Sequence, residues 1–180
     1  MMNIETLSKQ GRERVHSGLA GIDSTKLKAM RNESLRDCFR RMNDIRYRLE
    51  PVARIHGKEF VNDAAARNVN STWYSLESLE GGLIWITTPS AETEYSRLKP
   101  AARRKVRMII AVGGSSDKLK EAFADSVAVI DECPSIKEAV AHAFYSDAVE
   151  AAKVVYSPAC DNGLPTTVLG EEFRYAVNEL

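Results

Sequence analysis

From residue 50 to the C-terminus, short apolar runs alternate with amphipathic stretches, and this alternation restricts the fold more than any other feature of the chain. Leu83–Thr87 (LIWIT), bounded by Gly81-Gly82 and Pro89, reads as a strand, and so does Val106–Val112 (VRMIIAV), which ends at Gly113-Gly114. Further strands are predicted at Val127–Ile130 and Val154–Tyr156. A hairpin is predicted from Val52–His56 and Glu59–Asn62 about Gly57-Lys58. The intervening helices are expected at Ser71–Leu79, with Asn70 or Ser71 as N-cap, and near Asp117–Ala124. Others are expected at Ser135–Phe144, with Ile136, Val140 and Phe144 on one face and Asp147–Ala151 as continuation, and at Gly170–Asn178. A helical turn is expected at Pro100–Lys105. Apolar strands separated by amphipathic helices predict an α/β fold, a mainly parallel sheet with helices on both faces. Right-handed crossovers then leave few topologies.

Ahead of this region, residues 1–24 are polar and interrupted by Gly11, Gly18 and Gly21. Residues 25–47 read as one helix on the spacing of Leu27, Met30, Leu35, Cys38, Phe39 and Met42. The basic cluster Arg40, Arg41, Arg46 and Arg48 lies at its end, and its ordinary reading is solvated cations near a helix C-terminus. The expected division is therefore a tail and helix over 1–47 and one domain over 48–180. With 25 basic and 25 acidic residues the formal net charge is zero, which argues against a nucleic-acid partner. No apolar run approaches the ~20 residues of a bilayer span. The N-terminus lacks a signal-peptide core, so no membrane partner and a cytoplasmic location are expected. Cys38, Cys133 and Cys160 form no CxxC pair and read as packed, reduced thiols, with no metal site.

In an open α/β sheet, ligands bind beyond the carboxyl ends of the strands. Four loops fall there: Asp63–Asn68, Thr87–Tyr95, Gly113–Asp117 and Ser157–Gly163. Gly113-Gly114-Ser115-Ser116-Asp117 matches no phosphate-loop pattern, and a tight turn with Ser116 or Asp117 as N-cap accounts for it. His16, His56 and His142 are scattered, and His56 reads as a solvent-facing strand residue. Cys160 would need a nearby cation or helix N-terminus to be reactive. Glu171-Glu172 reads as the dipole-complementing start of the last helix. Trp73 and Trp85 read as packing anchors.

Arg48-Leu49-Glu50, Phe60-Val61-Asn62-Asp63, Asn68-Val69-Asn70-Ser71-Thr72, Tyr95-Ser96-Arg97-Leu98, Ser157-Pro158-Ala159-Cys160 and Gly170-x-x-Phe173 occur in order over residues 28–180. Together they resemble the C-terminal domain of the Mur ligases, and most nearly that of the UDP-N-acetylmuramoyl-L-alanine:D-glutamate ligases of peptidoglycan synthesis. The resemblance implies a Rossmann-like three-layer domain that rotates to close over ATP and deliver the incoming amino acid. Residues 28–47 would be the end of a central ATPase domain and its linker. The resemblance also implies that Arg48, Asn62 and Asp63 lie where the family contacts the nucleotide. Asn62-Asp63 has an ordinary reading as a strand-terminating turn. Arg67 and Ser157 would line the acceptor pocket.

The departures bear directly on function. The phosphate loop, Mg²⁺ ligands and carbamylated Lys of the family's central domain have no counterpart here. ATP and Mg²⁺ are therefore expected only if a central ligase domain completes the chain. Ala65 stands where the family has Lys and Arg67 where it has Thr, and Ala91 replaces a second Lys. After Ser157 the segment reads Asp161-Asn162-Gly163-Leu164, which is shorter than the family's and lacks its Phe. Leu169 replaces an Arg. Gripping both carboxylates of D-glutamate in a closed site needs paired cations, and a buried unpaired charge costs about 3–5 kcal/mol. The reading is a degenerate acceptor site in a non-catalytic binding or regulatory module whose partner is a cell-wall ligase or a cell-wall metabolite. The alternative is the third domain of a split ligase, supplying Arg48, Asp63 and Ser157 to a central-domain partner. A third reading is an unrelated small-molecule domain with its ligand at Gly113–Asp117.

Overall fold

The computed structural model describes residues 46–146, 151 and 153–180. The helix expected over 25–47 lies outside them except for Arg46 and Tyr47, as does the continuation over Asp147–Ala151 except for Ala151. The described residues form one six-stranded sheet. Its strands are β1 (Glu50–Ile55), β2 (Lys58–Asn62), β3 (Leu83–Thr87), β4 (Val106–Val112), β5 (Val129–Cys133) and β6 (Lys153–Tyr156), in the spatial order β1-β2-β6-β3-β4-β5. β1 is antiparallel to β2, and every other neighbouring pair is parallel. The helices are α1 (Val69–Ser78), α2 (Lys99–Lys105, entered through a 3₁₀ turn at Ser96–Leu98), α3 (Asp117–Phe123), α4 (Ile136–Tyr145) and α5 (Thr166–Asn178).

The side-chain alternation of β3 shows why the sheet needs two covers. Ile84 and Ile86 enter the core beneath α4 and α5, with Phe60, Met108, Ile110, Val154, Tyr156 and Phe173. Leu83 and Trp85 enter the opposite core beneath α1, α2 and α3, with Val61, Ile109, Val155, Leu76 and Phe123. Trp85 meets Phe123 edge-on at 5.7 Å between ring centroids. The chain thus runs β2-α1-β3-α2-β4-α3-β5 with its helices on one face. It then returns through α4 on the other face to insert β6 between β2 and β3. The α/β, Rossmann-like three-layer expectation holds for the described residues.

Several expected boundaries move, each for a local reason. The hairpin turns on His56 and Gly57, at φ 46° and 85°, the two-residue geometry that keeps the strands' right-handed twist. His56 is therefore a turn residue rather than a strand residue, and its ring rests 5.7 Å from that of Phe144. α1 begins at Val69, and Asn68 caps it by accepting from Ser71 N at 2.9 Å. β5 begins two residues later than expected, because Ser126 N and Val127 N both bond to Phe123 O in the turn that ends α3. It carries Asp131 and Glu132 because it is an edge strand, half open to water. α5 begins at Thr166 rather than Gly170, since Pro165 presets its entry while two threonines mask its helical period. Glu171-Glu172 consequently sits in its second turn. Among the described residues, no helix is long and apolar enough to cross a membrane.

Candidate functional site

β2 and β6 lie side by side, yet the chain leaves β2 toward α1 on one face and leaves β6 toward α5 on the other. A cleft opens at such a divergence in parallel sheets. Three of the four strand-end loops meet there, and the fourth, Gly113–Asp117, stands apart beyond β4 and β5. A cavity of about 470 Å³ runs between Arg67 and Asn68, the Ser90–Glu94 segment, and Ala159–Asp161.

The carboxyl ends of β2 and β6 also carry a buried polar network. Arg48 and Asp63 are almost wholly enclosed, with Arg48 Nη1 2.6 Å from Asp63 Oδ1. The same nitrogen donates to Ser75 Oγ at 2.9 Å, and Nη2 donates to Ser71 O at 3.0 Å. Leu49 N also donates to Asp63 Oδ1, at 3.2 Å. Ser157 Oγ donates to Asp63 Oδ2 at 2.9 Å and lies 2.8 Å from Thr72 Oγ1. One carboxylate thereby joins the chain entering β1, the end of β2, α1 and the end of β6. Burial pushes the Asp63 carboxyl up to about 6, against the Arg48 charge and the hydrogen bonds that favour its ionised form.

Arg48 is seated by an unusual backbone. Tyr47 and Leu49, its neighbours on either side, have φ of 61° and 47°, a left-handed conformation that costs a non-glycine residue energy. Packing holds it there. The Tyr47 ring lies where a side chain on Gly170 would stand, 2.4 Å from an ideal Cβ. Tyr47 OH donates to Glu171 Oε1 at 2.6 Å, and Arg46 pairs with the same oxygen at 2.6 Å. Arg48 is thus a buried structural cation, not the solvated helix-end charge of the simple reading, whereas Arg46 is exposed. Asn62 is fully buried beside α5, where Nδ2 donates to Gly170 O at 2.9 Å and Oδ1 accepts from Ala64 N at 3.3 Å.

The structure therefore gathers Arg48, Asp63 and Ser157 into one network, turns Asn62 toward α5, and leaves Arg67 at the cleft wall. Arg67 Nη2 is ion-paired with Asp161, and Nη1 donates to Thr166 Oγ1 at 3.4 Å. Glu92 and Glu94 line the same cavity and are exposed. The Ser157–Cys160 loop is pinned beneath. Trp85 Nε1 donates to Ser157 O at 2.8 Å, Thr87 Oγ1 to Pro158 O at 2.9 Å, and Ala159 N to Ala66 O at 3.1 Å. Cys160 Sγ donates to Thr88 O at 3.0 Å, and burial pushes the thiol up, away from nucleophilic character. Leu169 is a core residue. His142 Nε2 lies 2.8 Å from Asp131 Oδ2 on the far edge of the sheet, remote from the cleft loops. Ser116 occupies the N-cap position of α3 without capping it; its hydroxyl bonds Glu132 instead.

Sequence reasoning quoted Thr72 only within a motif, with no role of its own, and overlooked Ser75 and Tyr47. Thr72 and Ser75 carried a signal: small polar residues three apart on the helix face that also presents Leu76, hence inward-facing polar groups needing partners. Tyr47 carried none, because its role depends on a left-handed turn and on the lack of a side chain at residue 170.

No family model matches the chain. The UDP-N-acetylmuramoylalanine–D-glutamate ligase of Porphyromonas gingivalis is 32% identical to it over 161 residues, covering 89% of this chain and 36% of that ligase. The ligase of the same name from Bacteroides fragilis is 30% identical over an alignment of 184 residues, covering 99% of this chain and 41% of the ligase. Among solved structures, the folylpolyglutamate synthase of Thermotoga maritima is similar at a TM-score of 0.46 and 14% identity, over 63% of this chain and 28% of that one. The chain thus spans about two-fifths of the length of these two ligases.

Proposed function

We propose that this chain, a relative of the Mur ligases over nearly all its length, is a binding or regulatory module of peptidoglycan precursor synthesis that performs no ligation by itself. One observation supports this reading above the rest. Arg67, the one cation among the residues lining the cleft, is already neutralised by Asp161, and Glu92 and Glu94 line the same space. An acceptor bearing two carboxylates would meet two exposed anions and no free cation. With Ala65 and Ala91 in place of the family's lysines, no other residue lining the cleft restores the balance.

Arg48, Asn62 and Asp63 serve this module as internal ties between β2, α1, β6 and α5. The polar atoms a nucleotide ribose would need are held inside the domain, so these residues do not fit a nucleotide contact in this arrangement. No step through ATP or Mg²⁺ is assigned to them. The resemblance to the Mur ligases supports a cytoplasmic site of action. The partner is a cell-wall ligase or a metabolite it handles.

The purified chain, supplied with ATP, Mg²⁺, UDP-N-acetylmuramoyl-L-alanine and D-glutamate, is expected to release no phosphate above blank. D-glutamate alone is expected to leave the Arg67 side-chain NMR signals unmoved. Ligation in that assay would overturn the reading.

A second reading has one observation in its favour, the 36–41% of the ligases' length that the alignments cover. In it the chain is the amino-acid-binding third domain of a split or truncated ligase. ATP and Mg²⁺ arrive with a central domain, and Arg48, Asp63 and Ser157 act in trans. Titrating the chain into a two-domain partner should then raise phosphate release, and unchanged activity counts against it.

A further inference from the structure

The loop from β6 to α5 carries a dipeptide, Asn162-Gly163, that neither reading employs. Of all the asparagines in the chain, only Asn162 precedes a glycine. Asn162 and Gly163 are both exposed, and Gly163, at φ 79°, has open space where a side chain would stand. Residue 163 therefore has no Cβ of its own to obstruct approach of the Asn162 side chain to its backbone nitrogen.

Two hydrogen bonds organise this pair. Gly163 N–H donates to Asp161 Oδ1 at 2.9 Å, which sets a carboxylate on the proton that the nitrogen must lose before it can act as a nucleophile. Leu164 N–H donates to Asn162 Oδ1 at 3.2 Å, at the oxygen where negative charge grows if the side-chain amide is attacked. The Gly163 N–H bond, and after it the Arg67 charge, hold the Asp161 carboxyl below the usual range, so the accepting form is present at neutral pH. Nucleophile, proton acceptor and oxyanion donor lie within four consecutive residues, and the attack is intramolecular.

We propose that Asn162 is a self-modification site. Gly163 N bonds to Asn162 Cγ while its proton passes to the Asp161 carboxylate. The Cγ–Nδ2 bond then breaks, and the nitrogen leaves as ammonia, taking that proton. The resulting five-membered succinimide is opened by water at either carbonyl, giving aspartate or isoaspartate at position 162. The product adds a carboxylate next to the Arg67–Asp161 pair. In the isoaspartate form it also lengthens the backbone that feeds α5. The chemistry requires only water.

The full chain is incubated in heavy-oxygen water at neutral and mildly alkaline pH, then mapped by peptide mass spectrometry with fragmentation that separates the two isomers. The expected result is heavy-oxygen incorporation at position 162 before any other asparagine, faster than in a synthetic peptide of residues 157–167. Asp161→Asn, at an exposed position, is expected to slow conversion by at least roughly tenfold, a modest share of what a positioned general base contributes. Circular dichroism of that variant reports whether the fold is retained. Slower conversion in the folded chain than in the peptide, or an unchanged rate in folded Asp161→Asn, would overturn the proposal.

Discussion

Arg48 and Asp63 set the energetics at the scale of single residues. A buried ion pair is a modest source of stability, but removing one partner strands the other charge. Arg48→Ala is expected to lower unfolding free energy by about 3–5 kcal/mol, read from urea midpoints. Asp63 also makes stability depend on pH. Its carboxyl titrates near 6 in the folded chain and at 3.8 otherwise, so between those values the folded state holds the extra proton. The contribution is complete below about pH 4 and is lost as pH rises through 6, a decline of roughly 2–3 kcal/mol. Urea unfolding at steps from pH 4 to 7, with a carbon-13 titration of the Asp63 carboxyl, would show the slope. In Arg48→Ala the inflection should move upward, because the charge that favours ionised Asp63 is gone. A flat profile would mean that water reaches Asp63 more freely than its burial indicates.

At the scale of elements, lysines close two helices. Lys58 Nζ donates to Ala143 O, Phe144 O and Ser146 O at 3.0, 2.9 and 3.0 Å, satisfying carbonyls at the end of α4. Lys105 does the same for α1 at Leu76 O, Glu77 O and Leu79 O. These carbonyls have no partner within their own helices, and a cation also suits the negative end of the dipole. Lys58→Met keeps the aliphatic stem and removes the ammonium. It should cost about 1–2 kcal/mol and speed amide exchange in the last turn of α4, with α5 unaffected. The N-terminus of α4 was legible by contrast. Ser135 accepts from Glu138 N at 3.2 Å, and Ser135 Oγ meets the Glu138 carboxylate at 3.0 Å, a pairing announced by their three-residue spacing. The lysine caps were not legible, since Lys58 and Lys105 lie 88 and 29 residues from their most distant carbonyl partners, Ser146 and Leu76.

Across the whole molecule, β6 is the last strand of the sheet in sequence and lies third in space, so the centre of the sheet closes only when the C-terminal third of the chain arrives. Amides of β6, β3 and β4 should therefore exchange only through global unfolding, while those of edge strands β1 and β5 exchange by local opening. Exchange mass spectrometry giving β6 the protection of β5 would contradict this. The alternation of LIWIT, VRMIIAV and the helical stripes determined a doubly covered parallel sheet, because strand and helix periods are properties of neighbouring residues. Strand ends read in the same way picked out the loops after β2, β3 and β6, which meet at one end of the sheet. Only the tertiary structure decided that Arg48 lies inward between two left-handed residues, that Asp161 neutralises Arg67, and that Tyr47 fills the space over Gly170. Each depends on side chains far apart in sequence competing for one small volume, and which partner a buried charge or ring finds there is set by the strand order, not by the residues beside it.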